Sequence, residues 1–459
     1  MNSLKTERVR EPQIIFPTQI LSEKYTGELK GYFVPDTNCY NVLPFNDAAS
    51  INENKIYSIG FILSENPFCF VDKDIASLIQ YLKTENTSPD EIVRKILQSF
   101  DGKSQKYFNK ESLPEETTRL IAALNVNNSA NDGQWIKNVF VPQLYLHPDD
   151  YSGDSAYSVV GYWEDDELHF IQLNARRECK QNKYSLKLDI FSRNVGILES
   201  DIMLEKGAMF IGCGSVGSLF ALELAKAGVG RFMLIDNDIF GYHNICRHQC
   251  GIYDVGRYKT DALKERILQI NPYAKVVTKN MIIQDVPISE LVEFCDKNTI
   301  AIGGADNREG DLYANNLAQQ IEMPFMSIGC WERAFAGEIF YCLPHSMPNY
   351  KDFVEVSGVL SGRVNQNKQF YTTEEDLKKA TFEPGISADI NFVTIIAVKM
   401  ALDILNIGNE NYTQRLLPHL TQYTLVCNTN NTKIGGETAE IFSYPLQVTT
   451  SINIPYSKK

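Results

Sequence analysis

The apolar positions of the chain change their period near residue 185. Before that point, short runs rich in Tyr, Val, Ile and Phe (residues 57–63, 139–146, 158–163 and 168–173) read as strands. Two other segments carry helix-start grammar. Ser88-Pro89-Asp90-Glu91 and Ser112-Leu113-Pro114-Glu115 each place a capping serine three residues before a glutamate, with a proline in the first turn. Residues 1–185 are therefore expected to form an α+β domain. Polar stretches at 127–133 and 179–183 read as loops, the second as a candidate interdomain boundary.

From residue 186 strand and helix signals alternate. Residues 208–212 form a short apolar strand, 218–227 show helical spacing, 231–236 form a second strand and 259–270 a second helix. Residues 299–303 and 324–328 add buried strands, 387–405 a long apolar helix, and the β-like composition after 423 adds strands to an edge. This alternation predicts an α/β domain over 186–459, Rossmann-like, with a mostly parallel sheet and helices on both faces.

Composition narrows the function classes. The 459 residues exceed the roughly 100 to 200 of one domain. A net charge of −13 gives no global field for phosphodiester backbones, so nucleic acid is not the expected partner. No apolar run reaches a membrane span, and the first residues lack a signal peptide's apolar stretch, so a cytoplasmic protein with no membrane partner is expected. The ten cysteines contain no Cys-x-x-Cys pair and read as reduced thiols. Cys246 and Cys250 bracket His248 but lack a fourth metal ligand, and Asp149, Asp150 and Asp154 form an acidic loop without a calcium-hand pattern.

Gly212-Cys213-Gly214-Ser215-Val216-Gly217 follows the first apolar strand and opens the first helix. Gly212 suits a tight turn, Gly214 lets the backbone approach phosphate, Gly217 permits close packing, and the helix start supplies N–H donors. Asp236 closes the second strand, where a carboxylate can accept from ribose hydroxyls. On its own this pattern favours a dinucleotide. The residues that follow change the reading: Asp238, Asn244, Arg247, Lys259 and the late Asp306-Asn307 pair add cations, an amide and carboxylates suited to a nucleoside triphosphate with Mg²⁺. Taken singly, Arg247 and Lys259 would be surface charges and Asp306 a helix cap.

Together these motifs resemble the adenylation domain of the ThiF/MoeB and ubiquitin-activating enzyme superfamily over residues 207–338, and more loosely to Leu405. The resemblance implies ATP·Mg²⁺-dependent adenylation of a carboxyl terminus, that of a ubiquitin-like protein or a peptide. By the same resemblance Gly212, Gly214 and Gly217 shape the nucleotide turn and Asp236 holds the ribose. Asn244, Arg247 and Lys259 contact the triphosphate, and Asp306 holds Mg²⁺ beside Asn307. Arg193 matches an arginine that a partner subunit inserts into the site, implying a homodimer, or a pseudo-dimer if residues 1–185 are a decayed adenylation half; the other reading of residues 1–185 is recognition of the carrier or of a conjugating partner.

The chain departs from the family in lacking zinc-binding Cys-x-x-Cys pairs and a cysteine in the crossover segment at about 345–385. A thioester on Cys330, Cys342 or Cys427 stands against direct hand-off to a conjugating enzyme. Three classes stay open: a ubiquitin-like modifier activating enzyme, an adenylyltransferase for a peptide or small molecule, and a scaffold pseudoenzyme.

Overall fold

The computed structural model describes residues 11–22, 27–29, 31–42, 60–64, 157–164, 167–172, 177–185, 189–304, 308–345, 347–357 and 384–450. The helix starts at Ser88 and Ser112, the strand at 139–146, the loop at 127–133 and the acidic loop around Asp149 lie outside these residues, as do Asp306 and Asn307. The chain divides into two compact units, Met1–Asp189 and Ile190–Lys459.

The first unit contains β1 (Gln13–Pro17), β2 (Gly27–Leu29), β3 (Gly31–Val34), β4 (Cys39–Val42), β5 (Gly60–Ser64), β6 (Tyr157–Glu164), β7 (Glu167–Gln172), β8 (Arg177–Glu178) and β9 (Lys180–Tyr184). They form a four-stranded sheet, β3-β4-β1-β9, and a five-stranded sheet, β2-β5-β6-β7-β8. Ile14, Phe16, Tyr40, Val159 and Phe170 share one core. The loop expected at residues 179–183 is a strand: Cys179 is buried and β9 pairs in parallel with β1 from Gln13↔Lys180 to Pro17↔Tyr184. Its side chains are mostly exposed because it is a sheet edge, so the pairing lies in the backbone and leaves no apolar alternation to read.

The second unit is built on an eight-stranded sheet of β10 (Gly207–Ile211), β11 (Arg231–Ile235), β12 (Lys275–Lys279), β13 (Thr299–Gly303), β14 (Phe325–Cys330), β15 (Ala336–Cys342), β16 (Tyr423–Cys427) and β17 (Gln447–Thr450). Its order is β12-β11-β10-β13-β14-β15-β16-β17, parallel from β12 to β14 and antiparallel beyond. Four longer helices flank it: α1 (Ser215–Lys226), α2 (Lys259–Ile270), α3 (Arg308–Ile321) and α4 (Ser387–Leu405).

Every residue of β10 is buried, and the period of two sends its side chains to opposite faces. Ala208 and Phe210 pack with Phe220, Phe232, Ile267 and Val393 on one face, whereas Met209 and Ile211 pack with Met233, Leu317, Phe325 and Tyr350 on the other. On the antiparallel side buried Glu338 accepts hydrogen bonds from Trp331 Nε1 at 3.1 Å and Tyr423 Oη at 2.9 Å. The helix expected from residue 218 begins at Ser215, because apolar spacing marks only its packed face while the backbone turns in at Gly214.

Candidate active site at the carboxyl ends of the parallel strands

After β10 the chain turns at Gly212, whose φ of 94° lies in the left-handed region. It enters α1, where the first helical bond runs from Ser218 N–H to Gly214 O at 2.9 Å. The N–H groups ahead of that bond have no intrahelical acceptor, and the helix dipole adds positive potential there. The other two glycines differ in what requires them. A Cβ on Gly217 would lie 2.1 Å from the Gly212 carbonyl oxygen, whereas one on Gly214 would meet no atom of the described residues within 4 Å. The fold itself demands Gly217; in front of Gly214 the described residues leave open space.

Cys213, between the first two glycines, is held on both sides. Its N–H donates to Asp236 Oδ2 at 2.7 Å, and its carbonyl pairs with His248 Nε2 at 2.7 Å. The Cys250 N–H donates to His248 Nδ1 at 3.0 Å, so the ring's proton belongs on Nε2, which donates to the carbonyl. Phe240 meets the ring edge-on at 4.9 Å. Burial, reinforced by the Lys259 charge and opposed by the bond to the Cys213 carbonyl, lowers the imidazole from 6.5 to about 4.

Such a histidine makes stability sensitive to acid. Between pH 6.5 and 4 the unfolded chain takes up a proton at this position that the folded chain refuses. The contribution is complete above pH 6.5 and is lost as pH falls through the folded value. Urea unfolding is expected to show the wild type losing about 3 kcal/mol more than His248→Gln between pH 7 and 4. Equal losses would exclude a neutral, buried imidazole.

Asp236 follows β11 and binds the turn through one oxygen while Oδ1 accepts the Asp238 N–H at 2.8 Å. Burial raises its pKa, against the Cys213 N–H and the Lys259 charge. Asp238, whose carboxylate is exposed, accepts from Lys259 Nζ at 2.6 Å, and the Lys259 N–H reaches the Asp238 carbonyl at 3.1 Å. Lys259 is buried as the first residue of α2. Asp236, Asp238 and Lys259, proposed from the sequence, are thus brought to the glycine turn.

Asn244 closes the short turn Tyr242–Asn244, its Oδ1 accepting the Gly241 N–H at 2.9 Å. Half-buried Arg247 lies three residues further on, its N–H bonding the Asn244 carbonyl at 3.1 Å, and precedes His248. The end of β13 also meets this strand end: the Gly304 N–H bonds the Ile211 carbonyl at 3.0 Å.

Arg193 is not at this turn. The neighbouring Asn194 side chain donates to the Lys226 carbonyl at the far end of α1, about 18 Å along a twelve-residue helix from the glycines.

His248 is the residue that sequence reasoning missed, weighed there only as an incomplete metal ligand; its position beside Arg247 in the Asn-x-x-Arg segment was the available signal. Among the described residues no group of three or more His, Cys, Asp or Glu could hold a metal. Most thiols among the described residues are buried. Burial raises Cys342 to about 12 and Cys427 to about 11. Cys330, half-buried, ends β14 opposite Gly337.

The family model described as ThiF family matches residues 192–436, more than half of the chain. The chain belongs to the ThiF family. Among curated ThiF-type relatives, a probable molybdopterin-synthase adenylyltransferase of Porphyra purpurea is 31% identical over 188 residues, covering 39% of this chain and 47% of that protein. The sulfur carrier protein ThiS adenylyltransferase of Bacillus subtilis (strain 168) is 26% identical over 181 residues, 37% of this chain and 53% of that protein. Ubiquitin-like modifier-activating enzyme 5 of Bombyx mori is 26% identical over 186 residues, 38% of this chain and 46% of that protein. The chain spans about half the length of the curated relatives it matches. The solved structure of E. coli MccB with ATP aligns at a TM-score of 0.41 and 18% identity, over 59% of this chain and 72% of that one. Among the described residues no helix is long and apolar enough to cross a membrane.

Proposed function

We propose that this ThiF-family chain is an ATP-dependent adenylyltransferase that activates the C-terminal carboxylate of a small ubiquitin-like protein. The observation that carries the reading is the glycine turn held by Asp236 and His248, with the Lys259–Asp238 pair beside it at the carboxyl ends of parallel strands. The open space before Gly214 fits a phosphate approaching the backbone. Carrier adenylation is supported by relatives named for ThiS and for ubiquitin-like modifiers.

In this reading ATP supplies the adenylyl group. The carrier carboxylate attacks the α-phosphorus, the bond to the bridging oxygen breaks, and pyrophosphate leaves with that oxygen. The protein's task is positioning and charge neutralisation more than proton transfer. The glycine-turn N–H groups hold phosphate oxygens. Asp236, whose oxygens keep lone pairs after accepting two backbone N–H bonds, takes a ribose hydroxyl. Lys259, Arg247 and Asn244 would contact the triphosphate, and Asp306 with Asn307 would hold Mg²⁺, which would supply charge neutralisation there.

Arg193 lies a helix length from its own chain's turn, so it would serve the site of a second copy, and the active form would be a dimer. With no cysteine between Cys342 and Cys427, and with those two thiols raised by burial, the activated carrier passes to a separate nucleophile, a conjugating partner's cysteine.

ATP–pyrophosphate exchange tests the reading. Exchange should require a small protein with a free C-terminal glycine; exchange with free peptides but with no such protein would overturn the carrier assignment. Lys259→Ala should reduce exchange by about 10² to 10³. Undiminished exchange would remove Lys259 from the site.

A further inference from the structure

We propose that His248 is a positioning residue of the nucleotide turn, holding the Cys213 carbonyl inward so that the Gly214 N–H points out toward the phosphate. The inference rests on the ATP reading above and adds what orients the donor. In a planar trans peptide the C=O and the following N–H point in opposite directions. The Cys213 carbonyl is directed at buried His248 Nε2, so the Gly214 N–H points away from that ring. Gly214 borders space in which a Cβ would find no atom of the described residues within 4 Å.

The Asp236 bond cannot do this work, because it holds the Cys213 N–H and therefore the preceding peptide. The peptide between Cys213 and Gly214 depends on the histidine. Without it, the backbone freedom of Gly214 allows that peptide to rotate, presenting a carbonyl oxygen to the anion in place of an N–H. The ring is itself fixed: the Cys250 N–H occupies Nδ1, and Phe240 packs on its edge.

The two ring nitrogens can be tested separately. His248→Gln keeps a donor near the Nε2 position, and His248→Asn keeps an acceptor near Nδ1 but cannot reach Cys213. Binding of a non-hydrolysable ATP analogue, measured by calorimetry, should weaken about tenfold or more in His248→Asn and return to within about threefold of wild type in His248→Gln. Equal affinity of His248→Asn and wild type, or equal weakness of both variants, would overturn the inference while leaving the ATP reading intact. Wild type that binds no analogue would overturn both.

If the Asn variant does not fold, ¹⁵N spectra of the wild-type imidazole decide. Protonation on Nε2 alone at neutral pH, persisting when the analogue binds, is the expected result; a charged ring or a proton on Nδ1 would rule out the strut.

Discussion

Gly217→Ala is expected to destabilise the second unit strongly, and Gly214→Ala to leave it folded but with much weaker nucleotide binding. At Gly217 the added methyl would overlap the Gly212 carbonyl oxygen, 2.1 Å away. That atom is backbone and cannot swing aside, and it belongs to the turn that begins α1. Relief requires moving the helix away from β10, where Phe210 and Phe220 meet at 5.7 Å. We expect at least about 3 kcal/mol of destabilisation, visible as a drop of roughly 10 °C in Tm or as failure to accumulate folded protein.

At Gly214 the backbone is extended, with a negative φ of −74° and ψ −153°, and no atom of the described residues lies within 4 Å of the added methyl. The same methyl would occupy the approach of a phosphate to the turn, so affinity for ATP should fall by about 10²-fold or more while Tm changes by less than about 2 °C. Full ATP affinity in Gly214→Ala would remove the phosphate from this turn. An intact Gly217→Ala would mean that the helix is more loosely seated than the contacts indicate.

The second large effect is expected far from the turn, at Asp403 on α4. This carboxylate is fully buried and accepts from Tyr412 Oη at 2.7 Å and from the N–H groups of Arg415, Leu416 and Leu417 at 2.9, 2.6 and 2.9 Å. It organises the segment after the helix much as a bound anion would. Burial, together with Asp403 as both acceptor and charge, pushes the Tyr412 phenol up. Asp403→Ala leaves several donors without their acceptor, each costing about 1 to 3 kcal/mol if it stays dry. Allowing for water entry, urea unfolding should register a loss of about 4 kcal/mol. Asp403→Asn, which offers one acceptor oxygen and turns an NH₂ group toward donors, should fall between. Near-wild-type stability of Asp403→Ala would show that the segment holds its shape without the carboxylate.

The fold was legible where local pattern and burial agree. In β10 and β13 both faces are covered, so the strands read as continuous apolar runs, and the helices 259–270 and 387–405 could be placed from apolar spacing. The glycine turn and Asp236 were legible because a turn between strand and helix, with a carboxylate closing the next strand, keeps a fixed spacing along the chain. By contrast β9 was misread as a loop, since an edge strand is held by backbone bonds to β1 and carries polar side chains. His248 and Asp403 were invisible as structural devices for a related reason. Each acts on residues distant in sequence or on backbone groups, and no local period marks such a bond. Lys259 was proposed as a phosphate contact without its pairing to Asp238, which only the meeting of the end of β11 with the start of α2 creates.

Cys213 sits within the glycine turn, its residue fully buried, and burial raises the thiol pKa well above that of an ordinary cysteine. The loop thereby carries its own gauge of breathing. A thiol reagent can reach this sulfur only when the turn lifts from the packing under α1, so the labelling rate in a protein stripped of accessible cysteines counts openings and not intrinsic reactivity. Ligands that bind the closed turn would slow that count in proportion to their occupancy, giving a readout of site closure that needs neither turnover nor an identified carrier.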